Sequence, residues 1–269
     1  MWFAPFPCEL TTDELGPLFA DCADRAEHLR RGGANVVLVT GCELTLFAAG
    51  FFPGGTVYER IQGLQSGGPQ LYAAYAALPG KLNAFLATTA EAARGRFGGP
   101  LTYASGMWEP VDWGPFDIAA TDAYRDVGNA GTFRSELRKQ LRHGKPLAVT
   151  EFGCCAYAGA ADRGGMGWAI IDDSIDPPRL DGDYVRDESE QVRYLAELNA
   201  IFAEQGVDLA FWFTFAGYPL VHDSDARRDL DMASYGVVKM LPGGPGTGHH
   251  GLGWEPKLAF AALAGANGG

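Results

Sequence analysis

The 269-residue sequence is short of basic residues, of paired cysteines and of long apolar runs, and each shortage closes off a class of function. Lysine and arginine number 21 against 33 aspartates and glutamates, for a formal net charge of −12. A chain this acidic gives a phosphate backbone or an anionic membrane surface no electrostatic footing, so neither nucleic acid nor membrane is expected as a partner. No apolar run approaches the ~18 residues that a membrane span needs. The opening Met-Trp-Phe-Ala-Pro-Phe-Pro has no basic start and carries prolines, so it does not read as a secretion signal. Cys8, Cys22, Cys42, Cys154 and Cys155 are odd in number and show no C-x-x-C or histidine spacing of a zinc site. The adjacent pair Cys154–Cys155 is poorly placed to bridge itself. These read as free thiols in a reducing cytoplasm, with no metal and no cofactor expected. A glycine-rich phosphate loop after the first strand is also missing, which argues against an open nucleotide-binding sheet.

What is present is ample core material, 47% hydrophobic residues, arranged as short β-branched or aromatic runs alternating with helical patterns. Strands are expected at Trp2–Pro7, Asn35–Thr40, Leu101–Ser105, Phe116–Ala120, Pro146–Thr150 and Asp208–Phe215. Helices are expected at Thr11–Arg31, at Leu71–Arg96 with a break at Pro79–Gly80, at Thr132–His143, at Glu188–Gln205 and at Glu255–Ala264. Phe47–Ser66 reads as loop with some helix, and Tyr157–Asp187 and Pro219–Gly253 as long loops. The extreme C-terminus and one glycine-rich loop read as disordered. Strict β-α alternation implies parallel strands with right-handed crossovers in a single domain over residues 1–269.

Polar and ionisable residues collect at the C-terminal ends of these strands, where a (β/α) barrel places its chemistry. Gly41-Cys42-Glu43 follows the second strand and Met107-Trp108-Glu109 the third. Asp122 and Tyr124 follow the fourth, Glu151-Phe152-Gly153 follows the fifth, and Trp212 lies on the sixth. Glu43 and Glu151 are the candidate catalytic carboxylates, both by their strand-end position, and Glu151 also because a strand-end glutamate before Phe-Gly is no capping arrangement. Trp108, Cys42, Asp122, Tyr124 and Trp212 are candidate substrate contacts. Glu109, Asp122 and Asp112 read as loop charges rather than catalysts. His222, His249 and His250 read as solvated loop residues.

On these residues the chain resembles the clan-A superfamily of retaining glycoside hydrolases. Val-Thr-Glu151-Phe-Gly is similar to that clan's nucleophile strand, and Leu-Val-Thr-Gly-Cys-Glu43 to its acid/base strand, with two further strands between them. The resemblance implies a TIM (β/α) barrel that cleaves or transfers a glycosidic or related acetal bond. Glu43 would be the acid/base, Glu151 the nucleophile, Tyr124 a phenol beside it, and Trp212 a flat face for a sugar. It also implies Asn before the acid/base residue, bonding the sugar 2-hydroxyl; this chain has Cys42 there. The sequence further resembles a group of bacterial hypothetical proteins, some labelled abortive-infection proteins.

Aligned on the two glutamates, the first strand here matches the clan's third. About six of the eight βα units are then present, and roughly sixty residues are lacking at about 30 per unit. The expected fold is therefore an incomplete barrel, N-terminally truncated, with strands at Trp2–Pro7 and Asp208–Phe215 facing a gap. Open edges of that kind favour self-association. Alternatives are a catalytically inactive barrel that binds a small molecule or saccharide, and a natural-product hydrolase acting on another bond type.

Overall fold

The computed structural model describes residues 1–267. The last two glycines, part of the C-terminus expected to be disordered, lie outside the described residues. The chain divides into two compact units, Met1–Asp122 with Gln140–Ala148, and Ala123–Lys139 with Val149–Gly269.

The first unit begins with a short strand β1 (Trp2–Phe3) and helix α1 (Thr12–Arg31). It continues through β2 (Val37–Cys42), the single turn α2 (Leu44–Phe47), α3 (Val57–Ser66) and α4 (Pro69–Arg94) to β3 (Leu101–Gly106) and β4 (Ala119–Asp122). α1 starts where the Thr11 amide donates to Glu14 Oε2 at 2.9 Å, one arm of a capping box. Leu15, Phe19, Ala23 and Ala26 form its buried stripe, and the helix packs on α4. β1, β2, β3 and β4 pair in that order, all parallel. β2 and β3 are buried almost throughout, as strands covered on both faces must be.

The second unit contains α5 (Phe133–Gln140) up to its penultimate residue. Strand β5 (Leu147–Phe152) starts in the first unit and ends in the second. Its first residues extend the sheet at β4, where Ala119 N meets Pro146 O at 3.0 Å. The hairpin β6 (Ile171–Asp172) and β7 (Arg179–Leu180) follows, then α6 (Glu188–Gln205), and β8 (Leu209–Trp212), which closes the six-stranded order β1-β2-β3-β4-β5-β8. β9 (Ala216–Val221), β10 (Val238–Met240) and β11 (Trp254–Pro256) make a separate three-stranded sheet, and α7 (Leu258–Asn267) packs on α6.

Several expectations need correction. α4 runs unbroken through Pro79, because the buried stripe Leu71, Leu78, Leu82, Leu86, Ala90, Ala93 continues on both sides. Packing along that stripe outweighs the ~3 kcal/mol that an interior proline costs. The expected strand at Phe116–Ala120 lies at Ala119–Asp122, since Phe116 is buried in the preceding turn rather than in the sheet. Trp2–Pro7 contributes only two residues of strand. The segment Pro219–Gly253, read as loop, holds half of β9 and all of β10. Its glycine-rich stretch is hydrogen-bonded rather than loose, with Gly246 N to Gly251 O at 2.7 Å and Gly253 N to Thr247 O at 2.8 Å.

Candidate functional site

In the first unit the candidate residues stand at the ends of β2, β3 and β4. Glu43 follows β2 with φ 39° and ψ 48°, a left-handed conformation that costs a non-glycine residue about 1 kcal/mol or more. The surrounding turn enforces it. Glu43 N donates to Ala104 O at 2.8 Å, and the Glu43 carbonyl accepts from Leu46 N at 2.8 Å and Phe47 N at 3.0 Å. Leu44 N donates to the Tyr103 hydroxyl at 2.8 Å, and Thr45 N to Glu109 Oε1 at 3.0 Å. At the far end of α2 the fully buried Arg60 guanidinium donates to the Leu46 carbonyl. The same group donates to Gly54 O at 3.0 Å and to Glu9 Oε2 at 2.5 Å. Gly41 has φ 129°, and a Cβ there would sit 3.0 Å from the Leu44 side chain, so the approach to Glu43 requires glycine.

The neighbours of Glu43 are tied down in the same way. The buried Cys42 thiol donates to Asp122 Oδ2 at 3.4 Å, a weak bond between the ends of β2 and β4. Thiol and carboxylate are both of the metal-ligating kind, one soft and one hard. Trp108 Nε1 donates to Thr45 Oγ1 at 3.0 Å. Its ring covers Gly106, where a Cβ would come within 2.5 Å of it.

Glu109 is not the loop charge expected. It is 7% exposed and accepts from Tyr103 Oη at 2.8 Å and Gly106 N at 3.0 Å, besides Thr45 N. Burial pushes its carboxyl up to about 7, against the opposing pull of hydrogen bonds from Thr45, Tyr103 and Gly106. Tyr103, wholly buried beside it, is raised well above the ordinary phenol value by burial and then by Glu109. Asp112 does stay at the surface.

In the second unit Glu151 lies near the end of β5, half-buried, and accepts a hydrogen bond from the Tyr124 hydroxyl at 3.1 Å. The two chain segments are joined at the backbone, Ala123 N to Glu151 O at 2.7 Å. Tyr124 is held by its surroundings. Asn129 Nδ2 donates to its carbonyl at 2.8 Å, and Tyr235 packs edge-on to its ring at 5.8 Å. Tyr194 from α6 pins the next residue, donating to Arg125 O at 2.9 Å and accepting from Arg125 N at 2.8 Å. Gly153 completes the motif for a steric reason: a Cβ there would lie 2.3 Å from the Phe213 carbonyl oxygen.

Trp212 is half-buried. Its Nε1 donates to Tyr235 O at 2.9 Å, and its ring meets Phe152 edge-on at 5.4 Å. It packs against the cluster of Ala216, Val237, Val238 and Ala259. Tyr235 is the residue the sequence reading missed. It sits in a segment read as loop, yet its hydroxyl donates to Gly164 O at 2.8 Å and accepts from Gly167 N at 3.0 Å, bracing the ring that backs Tyr124. Cys154 and Cys155 are buried small residues bonded to backbone carbonyls. Cys8 is exposed. His249 stacks on Trp254 at 4.9 Å, and His222 bonds Asp229 at 3.0 Å.

No protein-family model matches the chain, and no curated protein matches its sequence. Solved structures do match. A β-D-glucuronidase of Dictyoglomus thermophilum aligns with TM-score 0.53 and 14% identity, covering 95% of this chain and 35% of that one. A GH113 β-1,4-mannanase in complex aligns with TM-score 0.51 and 14% identity, covering 84% and 58%. A second GH113 β-1,4-mannanase structure gives TM-score 0.51 and 14% identity, covering 75% and 51%. The chain thus spans 58% or less of the length of each of these proteins. At this identity the likeness establishes the fold: six parallel strands of an incomplete (β/α) barrel, the scaffold of these glycoside hydrolases.

Proposed function

We propose that the chain carries the catalytic centre of a retaining glycoside hydrolase, with Glu43 as acid/base and Glu151 as nucleophile. The observation that carries this reading is the 3.1 Å hydrogen bond from Tyr124 to Glu151 at a strand end of this fold. A nucleophilic carboxylate must be ionised and held in one orientation, and a phenol donor favours both. The strained, fully bonded turn at Glu43 adds to it, because strain of that kind is kept where a side chain must be aimed.

In the first step Glu43 protonates the leaving glycosidic oxygen while Glu151 attacks the anomeric carbon. In the second, Glu43 takes a proton from water as the water oxygen bonds to the anomeric carbon and displaces the Glu151 carboxylate. Retention requires the two carboxyls about 5–5.5 Å apart around the scissile bond. Cys42, Asp122 and Trp108 are the proposed sugar contacts of the first unit. The substrate is a saccharide or aryl glycoside, and activated aryl β-mannosides and β-glucuronides are the first panel to try.

Glu151→Gln is expected to abolish turnover of such a glycoside, and azide is expected to restore turnover to Glu151→Gly as a glycosyl azide. A wild-type protein that turns over nothing in a broad panel, or a crystallographic Glu43–Glu151 separation beyond ~10 Å, would sink the reading.

One observation favours a second reading. Cys42 occupies the position where the clan resembled has Asn, and a thiol is a poor partner for a sugar hydroxyl. A saccharide-binding barrel without turnover would show calorimetric binding with no product. Self-association belongs to the same proposal: edge strand β8 and the residues after it expose Leu209, Phe211, Phe213 and Phe215, an alternating apolar row. No helix of the described residues is long and apolar enough to cross a membrane.

A further inference from the structure

The proposed mechanism uses Glu43 and Glu151 and leaves Glu109 without a task. Yet Glu109 is a buried carboxylate of the first unit that is bonded on both oxygens. It sits just past β3, 7% exposed, and its acceptor positions are filled from both sides. Tyr103 Oη lies 2.8 Å from Oε2 and 3.0 Å from Oε1, Gly106 N 3.0 Å from Oε2, and Thr45 N 3.0 Å from Oε1. Two of these bonds lead straight to the residues that follow Glu43. Thr45 N is one. The other runs through Tyr103, whose hydroxyl accepts from Leu44 N at 2.8 Å while donating to Glu109. Trp108, next to Glu109 in the chain, adds a third tie through Thr45 Oγ1 at 3.0 Å.

The first amides of α2 have no partners within so short a turn. Glu109 and Tyr103 supply those partners, and in doing so they fix the backbone on which Glu43 adopts its left-handed conformation.

We propose that Glu109 is a positioning residue for Glu43, acting through Tyr103 and the Leu44 and Thr45 amides to hold the acid/base carboxyl at its working angle. The proposal rests on the reading of Glu43 as the acid/base.

The chemistry demands the carboxylate form. An ionised carboxylate accepts all of these donors at once. A protonated one carries a hydrogen on an oxygen that already faces donors, so at least one of these bonds must be lost or reversed. Protonation therefore weakens the network that holds the turn. The titratable groups facing Glu109 are Tyr103 from β3 and Tyr75 from α4, with the Cys42 thiol beside Tyr103. Burial raises both tyrosines, so they stay neutral through the neutral pH range. Glu109 is thus the group whose charge changes there.

The test compares wild type, Glu109→Gln and Tyr103→Phe on two aryl glycosides of the same sugar. One has a leaving group that needs protonation; the other, a 2,4-dinitrophenolate, does not. A misplaced acid slows only the first kind of bond cleavage. At pH 8 both variants are expected to lose ten- to a hundred-fold in kcat/KM on the poor leaving group and less than threefold on the dinitrophenyl glycoside. Wild type is expected to show an acid limb near pH 7 on the poor leaving group that Glu109→Gln lacks. Equal losses on both substrates, or an unchanged pH profile, would overturn the proposal. Amide hydrogen exchange at Leu44 and Thr45 separates it from the glycosidase reading. If wild type cleaves neither substrate, the reading of Glu43 as acid/base falls, and exchange at those amides still decides whether Glu109 holds the turn. At least tenfold faster exchange in Glu109→Gln is expected; unchanged exchange overturns the tie. Should Glu109→Gln fail to fold, Tyr103→Phe, which keeps the ring and removes one hydroxyl, carries both measurements.

Discussion

A carboxylate near a strand end becomes a nucleophile only if something holds it still and charged. For Glu151, the proposed nucleophile, the holder is Tyr124, at 3.1 Å, itself backed by Tyr235. Removing the hydroxyl while keeping the ring isolates that contribution. A hydrogen bond to a charged group is worth about 1.5–3 kcal/mol, so Tyr124→Phe should lower kcat about ten- to hundred-fold with a melting temperature within a few degrees of wild type. Steady-state kinetics on an aryl glycoside checks this, and an unchanged kcat would remove Tyr124 from the mechanism.

Glu109 makes a second prediction at the same scale, and here the readout is stability. Its carboxyl titrates at about 7 in the folded protein against an ordinary value of 4.5. Between those values the folded state binds a proton that the unfolded state has released. The group therefore adds stability that is fully present below pH 4.5 and lost as pH rises through 7. That difference is about 3 kcal/mol for one such group. Denaturant titrations of wild type and Glu109→Gln at pH 5 and pH 8 should show wild type losing about that much more over the interval; parallel curves would contradict it.

The strand-end positions of Glu43, Glu151 and Tyr124 could be read from a local pattern. The burial of Glu109 could not, because a glutamate after Trp108 looks like any loop charge. Its burial is decided by Tyr103 on its own strand and by Thr45, 64 residues away in the chain. Tyr235 escaped for the same reason, its partners Gly164 and Tyr124 being distant in sequence.

Among the elements, those closed by local signals were legible to the residue. α6 starts at Asp187, whose side chain accepts from Ser189 N at 2.9 Å, and ends at Gly206 with φ 72°, so both boundaries of Glu188–Gln205 could be read directly. Elements defined by tertiary partners were not. β10 is a three-residue strand in a glycine-rich stretch with no alternation long enough to register. What fixes the region around it is an ionic knot that no periodicity reveals. Arg186 bonds Asp229 at 2.9 Å and Asp231 at 2.7 Å, and the fully buried Lys257, ahead of α7, pairs with Asp231 at 2.9 Å. Asp231 is the anion both cations share. Asp231→Ala would leave Lys257 charged and buried without its partner, and removing one member of such a pair costs about 3–5 kcal/mol. Urea midpoints should show a loss of that size, while Lys257→Met, which leaves Asp231 with Arg186, should cost less than half as much. A similar loss for both variants would mean that Asp231 does not balance Lys257.

For the whole molecule the decisive feature is the strand order β1-β2-β3-β4-β5-β8, which among the described residues puts β1 and β8 at its two ends. The alternation of strands and helices announced parallel pairing, and the alignment on the two glutamates announced that units of the barrel were lacking; the fold agrees with both. A parallel strand at an edge leaves a row of backbone groups to be satisfied by water or by another chain. At β8 and just beyond it the row is flanked by apolar side chains: Leu209 is 43% exposed, Phe211 36%, Phe213 38% and Phe215 48%. Exposed apolar surface gains about 25 cal/mol per Å² when covered, so the edge favours association. The net charge of −12 opposes it by mutual repulsion. Salt screens the repulsion and leaves the apolar gain intact. Self-association should therefore strengthen, not weaken, when ionic strength rises from about 0.05 to 0.5 M. Sedimentation velocity across a hundredfold range of concentration would show the shift, and Phe211→Lys should return the protein to monomer at every concentration. A wild type that stays monomeric in high salt, or a Phe211→Lys variant that associates as strongly as wild type, would show that this edge is not where copies of the chain meet.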